Sequence, residues 1–311
     1  MRAIVTGGAG FIGSHVVDAL AARGNDVLVL DDLSSGRREN VSPAAELVVG
    51  DIRDEGAVRA AFAEQRPEAC LHFAAQADVR ISVERPDFDC EVNVLGTIRV
   101  LEAARAHGAR IVFASTGGAL YGECADPAPE TAPRGPLAPY GASKLAAEEY
   151  LATYNRLHGT AHTSLRLGNV FGPRQDPHGE AGVVAIFLGL LANGEAPHVF
   201  GDGTQQRDYV FVADVVAATL AALERPAGVF NVGTGTATSV LDLLDACLQV
   251  SEAEMEPVFD PPRLGELQRS VLDPGLAERE LGFRATTQFA DGVAATWESI
   301  RVAGESADEP N

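Results

Sequence analysis

Positive charge is scarce in this chain. Against 44 Asp and Glu stand only 24 Lys and Arg over 311 residues, a formal net charge of −20. Such a surface repels the phosphates of nucleic acid and of anionic membranes, which excludes non-specific partners of both kinds. An anionic ligand must instead be met by a few placed arginines. Cysteine is sparse too: Cys70, Cys90, Cys124 and Cys247 lie far apart, with no CxxC pair and no metal-ligand spacing. Four reduced thiols and no metal site are expected. No apolar run is long enough to span a membrane. No secretory leader precedes the first apolar segment, so a cytoplasmic protein is expected. There is no internal repeat. At 46% hydrophobic and 22% charged residues, the composition is that of a globular chain with ample length for a core.

What the chain does contain is organised around Ile4-Val-Thr-Gly-Gly-Ala-Gly-Phe-Ile-Gly13. Arg2–Thr6 reads as a short apolar strand, and Phe11, Ile12, Val16, Val17 and Leu20 recur at helical spacing. Between them, Gly7 permits the tight turn, Gly10 lets the backbone approach a pyrophosphate, and Gly13 lets the helix pack closely on the sheet. The helix start offers free N–H groups to phosphate oxygens. A second strand, Asp26–Leu30, ends in Asp31, placed to bind ribose hydroxyls. A carboxylate there repels a 2′-phosphate and favours NAD over NADP, although Arg37 and Arg38 stand nearby.

The polar loop Asp32–Asn40, with Asp32, Ser35 and Gly36, is suited to wrapping an adenosine. Asp51 and Ile52, after the third strand Glu46–Val49, could reach the adenine. The fourth strand, Ala69–Phe73, brings Phe73, Ala74 and Ala75 beside a cofactor, with His72 inside it as a core histidine. Asn93 is the one polar residue of Val92–Leu95, in a helix predicted over Phe88–His107. It is expected to brace a strand end at the cofactor site.

Further strands at Arg110–Ala114 and Thr163–Leu167 complete an alternation that predicts an α/β fold. The expected architecture is a Rossmann-type doubly wound parallel sheet with a smaller mixed α/β C-terminal domain. Residues 1–168 and about 208–235 are assigned to the first unit, 169–207 and about 236–301 to the second. Residues 302–311 are expected to be a disordered acidic tail.

Pro139-Tyr-Gly-Ala-Ser-Lys144 carries the sharpest chemical signal. Tyr140 and Lys144 are one helical turn apart and share a face. A tyrosine titrates near ~10, and a neighbouring ammonium together with a cationic nicotinamide favours the phenolate, making it usable as a base. Ser115 and Thr116, at the end of the fifth strand, could hydrogen-bond the reacting oxygen.

With these motifs the chain resembles an extended short-chain dehydrogenase/reductase, and within that superfamily the UDP-glucose 4-epimerase family. The resemblance also rests on Ser115-Thr-Gly-Gly-Ala-Leu-Tyr-Gly122, Arg166–Arg174, Phe200–Val210 and Arg263-Leu-Gly-Glu266. It implies NAD as cofactor, a UDP-sugar as substrate and a homodimer built on the helices Phe88–His107 and Gly141–His158. Tyr140 matches the family's base, Lys144 its nicotinamide-ribose ligand and Thr116 its hydroxyl residue. Gly117-Gly118 adds one residue relative to many members, so Ser115 stays a rival to Thr116. Asn169, Arg207, Arg263 and Glu266 match residues on the diphosphate and uridine. Val183, Val184 and Phe200 fall in the same substrate region, and small Ser270 matches a position that gates the size of the sugar. The implied reaction is oxidation at C4, turnover of the 4-keto sugar and re-reduction from the opposite face.

Other readings carry specific marks. Dehydratases of the superfamily have Asp-Glu where this chain has Gly117-Gly118. A glucuronate 4-epimerase or decarboxylase needs a cation for the sugar carboxylate; Asp176 speaks against one, whereas Arg80 or Arg174 could supply it. A non-catalytic NAD-binding sensor would have no use for Thr116, Tyr140 and Lys144 together.

Overall fold

The six strands expected from the sequence all form, and the order in which they pair determines where a ligand can enter. The structure, a computed structural model, describes residues 1–177, 182–225, 227–263 and 266–307. Strands β1 (Arg2–Thr6), β2 (Asp26–Asp31), β3 (Glu46–Val49), β4 (Ala69–His72), β5 (Arg110–Thr116) and β6 (Thr163–Leu167) join Val229–Val232 in one seven-stranded sheet. Its order is Val229–Val232, β6, β5, β4, β1, β2, β3. Every pairing in it is parallel. β4 crosses to the far side of β1, so the chain reverses direction across the sheet between these two strands. The C-terminal ends of β1 and β4 open a crevice there, where doubly wound sheets bind ligands.

Helices α1 (Phe11–Ala22), α2 (Glu55–Gln65), α3 (Val79–Glu84), α4 (Pro86–Cys90), α5 (Thr97–His107) and α6 (Pro139–His158) follow in chain order. They are succeeded by α7 (Val183–Ala192), α8 (Val212–Glu224), α9 (Val240–Ser251), α10 (Gly275–Leu281) and α11 (Phe289–Ala307). One face of the sheet packs on α1 and α8 through Val16, Val17, Leu20, Val215 and Ala218. The other packs on α2, α5 and α6 through Phe62, Leu101, Ala147 and Leu151. Local chemistry sets several helix ends. The Asp54 carboxylate accepts from the Gly56 and Ala57 N–H groups ahead of α2, Pro139 opens α6, and Gly159 closes it in the left-handed region.

Three expectations need correction, whereas the helix predicted over Phe88–His107 forms, running from α4 through a π-turn at Glu91–Gly96 into α5. There Asn93 turns inward to bond the Gln76 backbone, and the wider turn accommodates it. Of the 208–235 stretch assigned to the first unit, Tyr209–Phe211 pairs in parallel with Asn169–Phe171, outside the main sheet, while α8 and Val229–Val232 do pack on or in that sheet. Ala277, Leu281 and Phe283, grouped by sequence with the substrate portion, lie in the main core beside α8. Finally, α11 extends through Ala307, so 302–307 are helical, not disordered. Val293, Trp297 and Ile300 anchor this helix on α7 and α9, and adding residues to a formed helix needs no new nucleation. Residues 308–311 of the expected tail lie outside the described residues.

His72 is the core histidine expected. Its Nδ1 lies 2.6 Å from Thr6 Oγ1 and its Nε2 3.0 Å from Thr97 Oγ1. The Thr97 hydroxyl donates to the Asn93 carbonyl, so Nε2 carries the proton and Nδ1 accepts from Thr6. Burial pushes His72 down to about 3, helped by the Lys144 charge, and burial with nearby Arg110 pushes His162 down to about 4. Unfolded, both bind a proton near ~6.5. Their contribution to stability is therefore complete above about pH 6.5. It is lost as pH falls toward the folded values, by about 1.4 kcal/mol per pH unit for each histidine. Urea unfolding at pH 7.5 and 5.0 should show this loss. His162→Gln, whose amide oxygen can still accept from the Ile111 N–H, should weaken the pH dependence by one proton. An unchanged slope in the variant would refute the assignment.

Candidate active site

At the switch point lies a cleft of about 680 Å³. Its floor is the glycine loop. Gly7 has φ of +69°, and a Cβ there would come within 2.5 Å of the Ala74 nitrogen. A Cβ on Gly13 would run into the Gly7 carbonyl oxygen. The loop therefore folds under itself only without side chains, bringing β1, α1 and the end of β4 into contact. Gly10, at the N-cap of the twelve-residue α1, leaves the helix end uncapped by any side chain. This helix start borders the cleft, which Gly7, Gly10, Phe11, Ile12 and Gly13 line. This cradle fits a dinucleotide pyrophosphate.

Asp31 is held by backbone N–H groups at the end of β2. One carboxylate oxygen accepts from Ala9 N at 2.9 Å and the other from Leu33 N at 2.8 Å, and the side chain lies on the cleft wall. Burial raises its pKa. Asp32, Ser35, Asp51 and Ile52 line the cleft beyond β2 and β3, and Phe73, Ala74 and Ala75 its inner end. Gly36 sits behind this wall instead, against Ala9 and Asp31. Asn93 does not line the cleft either. Its amide donates to the Gln76 carbonyl at 2.9 Å and to Asp89 at 2.9 Å, and its oxygen accepts from Gln76 N. Asn93 thus braces the loop after β4, as expected, with its amide groups taken up by Gln76 and Asp89 and none directed into the cleft.

At the inner end, β5 and α6 bring Ser115, Thr116, Tyr140 and Lys144 together on the cleft wall. Ser115 Oγ donates to Glu148 Oε1 at 2.5 Å. Glu148 is in turn forked to Arg166, with 2.7 Å between Oε2 and NH2 and both side chains 3% exposed. The Ser115 hydroxyl is thus committed to the protein interior, whereas Thr116 hydrogen-bonds Tyr140. Lys144 Nζ donates to the Ala114 carbonyl at 2.9 Å and lies 4.7 Å from the Phe113 ring centre and 6.0 Å from that of Tyr140. Burial pushes the Tyr140 hydroxyl up to about 12, aided by the Asp89 charge and opposed by Thr116. Burial also lowers Lys144 to about 8, opposed by Asp89 and Glu148. In the chain alone, desolvation sets the Tyr140 hydroxyl against ionisation, so the expected phenolate needs the cationic nicotinamide as well as the ammonium.

Two signals in the sequence went unread. Lys144 is the only lysine in the chain. Glu148 follows it by four residues, so Tyr140, Lys144 and Glu148 form one stripe of α6.

The residues matched to substrate lie beyond this cleft, around the Gly117-Gly118 turn. A Cβ on Gly118 would sit 3.1 Å from Asn169 Oδ1, and Ser270 Oγ lies 3.4 Å from the Gly118 carbonyl. Ser270 is paired in register with Arg207, and Arg207 reaches Glu266 at 3.5 Å. Asp208 fixes this junction by accepting from Thr234, Gly235 and Leu272 backbone N–H groups. Arg263 stacks 3.9 Å over the Phe200 ring. Val184 is fully buried in the core of α7, α9 and α11, and Val183 packs against it. The Val184 side chain is core, and substrate contact through it is withdrawn, whereas Val183 is only partly buried. Asp176 and Arg174 line the same cleft as Thr116, Tyr140 and Lys144, Asp176 at 3.6 Å from Arg37 and Arg174 at 2.7 Å from Asp18.

Among the described residues, no three His, Cys, Asp or Glu side chains are grouped to hold a metal ion, and no helix is long and apolar enough to cross a membrane.

Comparison with known proteins adds to this geometry. A model of the NAD-dependent epimerase/dehydratase family matches residues 3–233. A UDP-glucose 4-epimerase of Mycolicibacterium smegmatis is 49% identical over 311 residues, covering 97% of this chain and 99% of the relative. The crystal structure of a UDP-glucose 4-epimerase with UDP-glucose from Thermotoga maritima superposes with a TM-score of 0.95 at 45% identity, covering 97% and 99% of the two chains. That of a Thermus thermophilus UDP-glucose 4-epimerase complex with NAD superposes with a TM-score of 0.93 at 47% identity, covering 97% and 100%.

Proposed function

The chain belongs to the NAD-dependent epimerase/dehydratase family, and from that premise we propose that it is a UDP-hexose 4-epimerase, interconverting UDP-glucose and UDP-galactose through a 4-keto sugar. The observation that carries the reading is the convergence of Thr116, Tyr140 and Lys144 at the inner end of a glycine-floored cleft. Gly7, Gly10 and the first turn of α1 would hold the NAD pyrophosphate, and Asp31 the adenosine ribose. NAD, when bound, supplies the hydride acceptor and donor and a positive charge beside Tyr140. Thr116 orients the C4 oxygen. Tyr140 Oη takes the C4 hydroxyl proton and later returns one. Lys144, held by the Ala114 carbonyl, is placed to bind the nicotinamide ribose.

Arg207 and Arg263 would hold the diphosphate, whose charge the −20 chain otherwise repels. Glu266 and Phe200 would meet the uridine and Asn169 the diphosphate. The hexose itself faces Gly117 and Gly118, a loose wall that lets the keto sugar turn over. Dehydration is disfavoured because those two glycines carry no acid or base.

Anaerobic incubation with UDP-galactose, UDP-GalNAc and UDP-glucuronate, followed by NMR of the anomeric protons, tests the proposal. Formation of the C4 epimer supports it and names the sugar. No turnover of any of the three with NAD supplied would sink it.

Ser270 extends the reading to 2-acetamido sugars. Its small side chain is 6% exposed and rests against Gly118, so a large residue there must displace the sugar-side turn. Ser270→Tyr is expected to lower kcat/KM for UDP-GalNAc at least tenfold relative to UDP-galactose, on the order of what a filled pocket costs. Equal loss on both substrates would remove the size-gate reading. A homodimer is also inferred, through α5, α6 and the preceding π-turn, where Leu95, Tyr150 and Leu157 are exposed. Light scattering should give twice the chain mass, and Leu157→Glu should return the monomer; a wild-type monomer would refute it. The four thiols, all free, fit a reducing cytoplasm.

A further inference from the structure

Asp89 takes no part in the chemistry above, yet it is one of the most deeply buried charged side chains in the molecule, at 1% exposed. It sits on α4, which packs on α6. One carboxylate oxygen accepts from Gln76 Nε2 at 3.0 Å and Asn93 Nδ2 at 2.9 Å, while the other is buried with no hydrogen-bond partner. The same Asn93 amide reaches Ser143 Oγ at 3.3 Å, and Ser143 donates to the Tyr140 carbonyl at 3.0 Å. Asp89 is therefore tied to the first turn of α6, the turn that presents Tyr140 and Lys144. A buried carboxylate with one idle oxygen is costly, and such a group persists where a nearby positive charge offsets it.

The groups that face Lys144 narrow the choice of partner. From α6 come Tyr140 and Glu148, from β4 His72, and from β5 only the Ala114 carbonyl and the Phe113 ring. Glu148 is already forked to Arg166 of β6, so its charge is largely spent. His72 is neutral, and Tyr140 is uncharged unless it loses its proton. Among the described residues, Asp89 makes no ion pair of its own.

We propose that Asp89 is a positioning residue of this active site, the fixed counter-charge that keeps the buried Lys144 ammonium protonated at working pH. Its field acts on both catalytic side chains, raising Lys144 and Tyr140 alike. The ammonium is retained for ribose binding, and a proton is retained on Tyr140 until the positive cofactor is in place. This consequence for catalysis rests on the epimerase reading, whereas the charge coupling does not.

Because Lys144 is the only lysine, protein labelled with ¹³C-lysine gives a single lysine Cε signal. Its pH titration needs neither substrate nor turnover. The wild-type midpoint is expected at about 8, and Asp89→Asn should lower it, by up to about one unit, as the loss of an opposite charge does. Asp87→Asn, which alters an exposed carboxylate of the same helix, should leave it unchanged. With active protein, the alkaline limb of kcat should move by the same amount while KM for the UDP-sugar changes less than about twofold, as for a loss confined to the chemical step. An unmoved lysine midpoint in Asp89→Asn overturns the proposal, as does lost activity with no shift in either titration. Should that variant not fold, Asp89→Glu carries the test. The displaced charge must shift the midpoint, and an identical midpoint is fatal. Failure of the epimerase reading would appear as absent turnover with the lysine shift intact.

Discussion

Tyr140→Phe is expected to lower kcat about a thousandfold, within the 10²–10⁴ that a positioned acid–base group contributes, with KM for the UDP-sugar nearly unchanged. The substitution removes one oxygen from a partly buried ring whose hydroxyl partner is Thr116. Packing of α6 on β5 and β6 does not depend on it, so thermal stability should hold within about 1 kcal/mol, the usual worth of one hydrogen bond. The pH profile adds a second readout. Burial and the Asp89 charge push Tyr140 up to about 12, so the reactive phenolate is a minor species that grows as pH rises. Wild-type kcat should climb with pH below the Lys144 midpoint, and the residual activity of the variant should not. A loss of less than about tenfold would mean that another group moves the proton, and Ser115 is not available for that task. Its hydroxyl donates to Glu148, so Ser115→Ala should cost far less activity than Thr116→Ala.

The second large effect is on stability. Glu148→Ala should destabilise the protein by about 3–5 kcal/mol, the cost of leaving one member of a buried ion pair uncompensated. Arg166 and Glu148 are both 3% exposed, so solvent does not screen them. The damage extends through the network. Arg166 also donates to Tyr121 Oη at 2.7 Å and the Glu130 carbonyl at 3.1 Å, and Tyr121 donates to Asn231. Pairing Glu148→Leu with Arg166→Met should cost less than Glu148→Ala alone, because no charge is left buried. Chemical denaturation of the three variants separates the cases. Should the double variant prove the least stable, the pair contributes net attraction beyond its desolvation cost. Activity should also fall in Glu148→Ala, since Ser115 and Arg166 hold the strand end that presents Thr116.

These two residues illustrate how far the chain could be read in one dimension. Tyr140 was legible because its role needs only local order: a four-residue spacing on a helix places it beside Lys144. The glycine loop was legible for the same reason, because its strand, turn and helix follow one another directly in sequence. Asp31, at the end of β2, was predictable from the period of the sheet. Glu148 stood on the same stripe as the catalytic pair, yet nothing nearby in sequence announced that Arg166 would meet it.

The sequence by itself determined the alternating strands and helices, the NAD-type cradle and the Tyr140–Lys144 pair, because these follow from hydrophobic period, backbone freedom at glycine and helical spacing. Tertiary structure alone decided the rest. It assigned the Ser115 hydroxyl to a buried ion pair and left Thr116 with Tyr140. It chose Gln76 and Asp89 as the groups that Asn93 braces, set Arg174 and Asp176 on the wall of the catalytic cleft, and buried Val184. It also set Asp89 against the catalytic turn. Each of these depends on which segments distant in sequence come within hydrogen-bond reach and on how much water is excluded between them. Those are properties of the packed chain, not of any stretch of it.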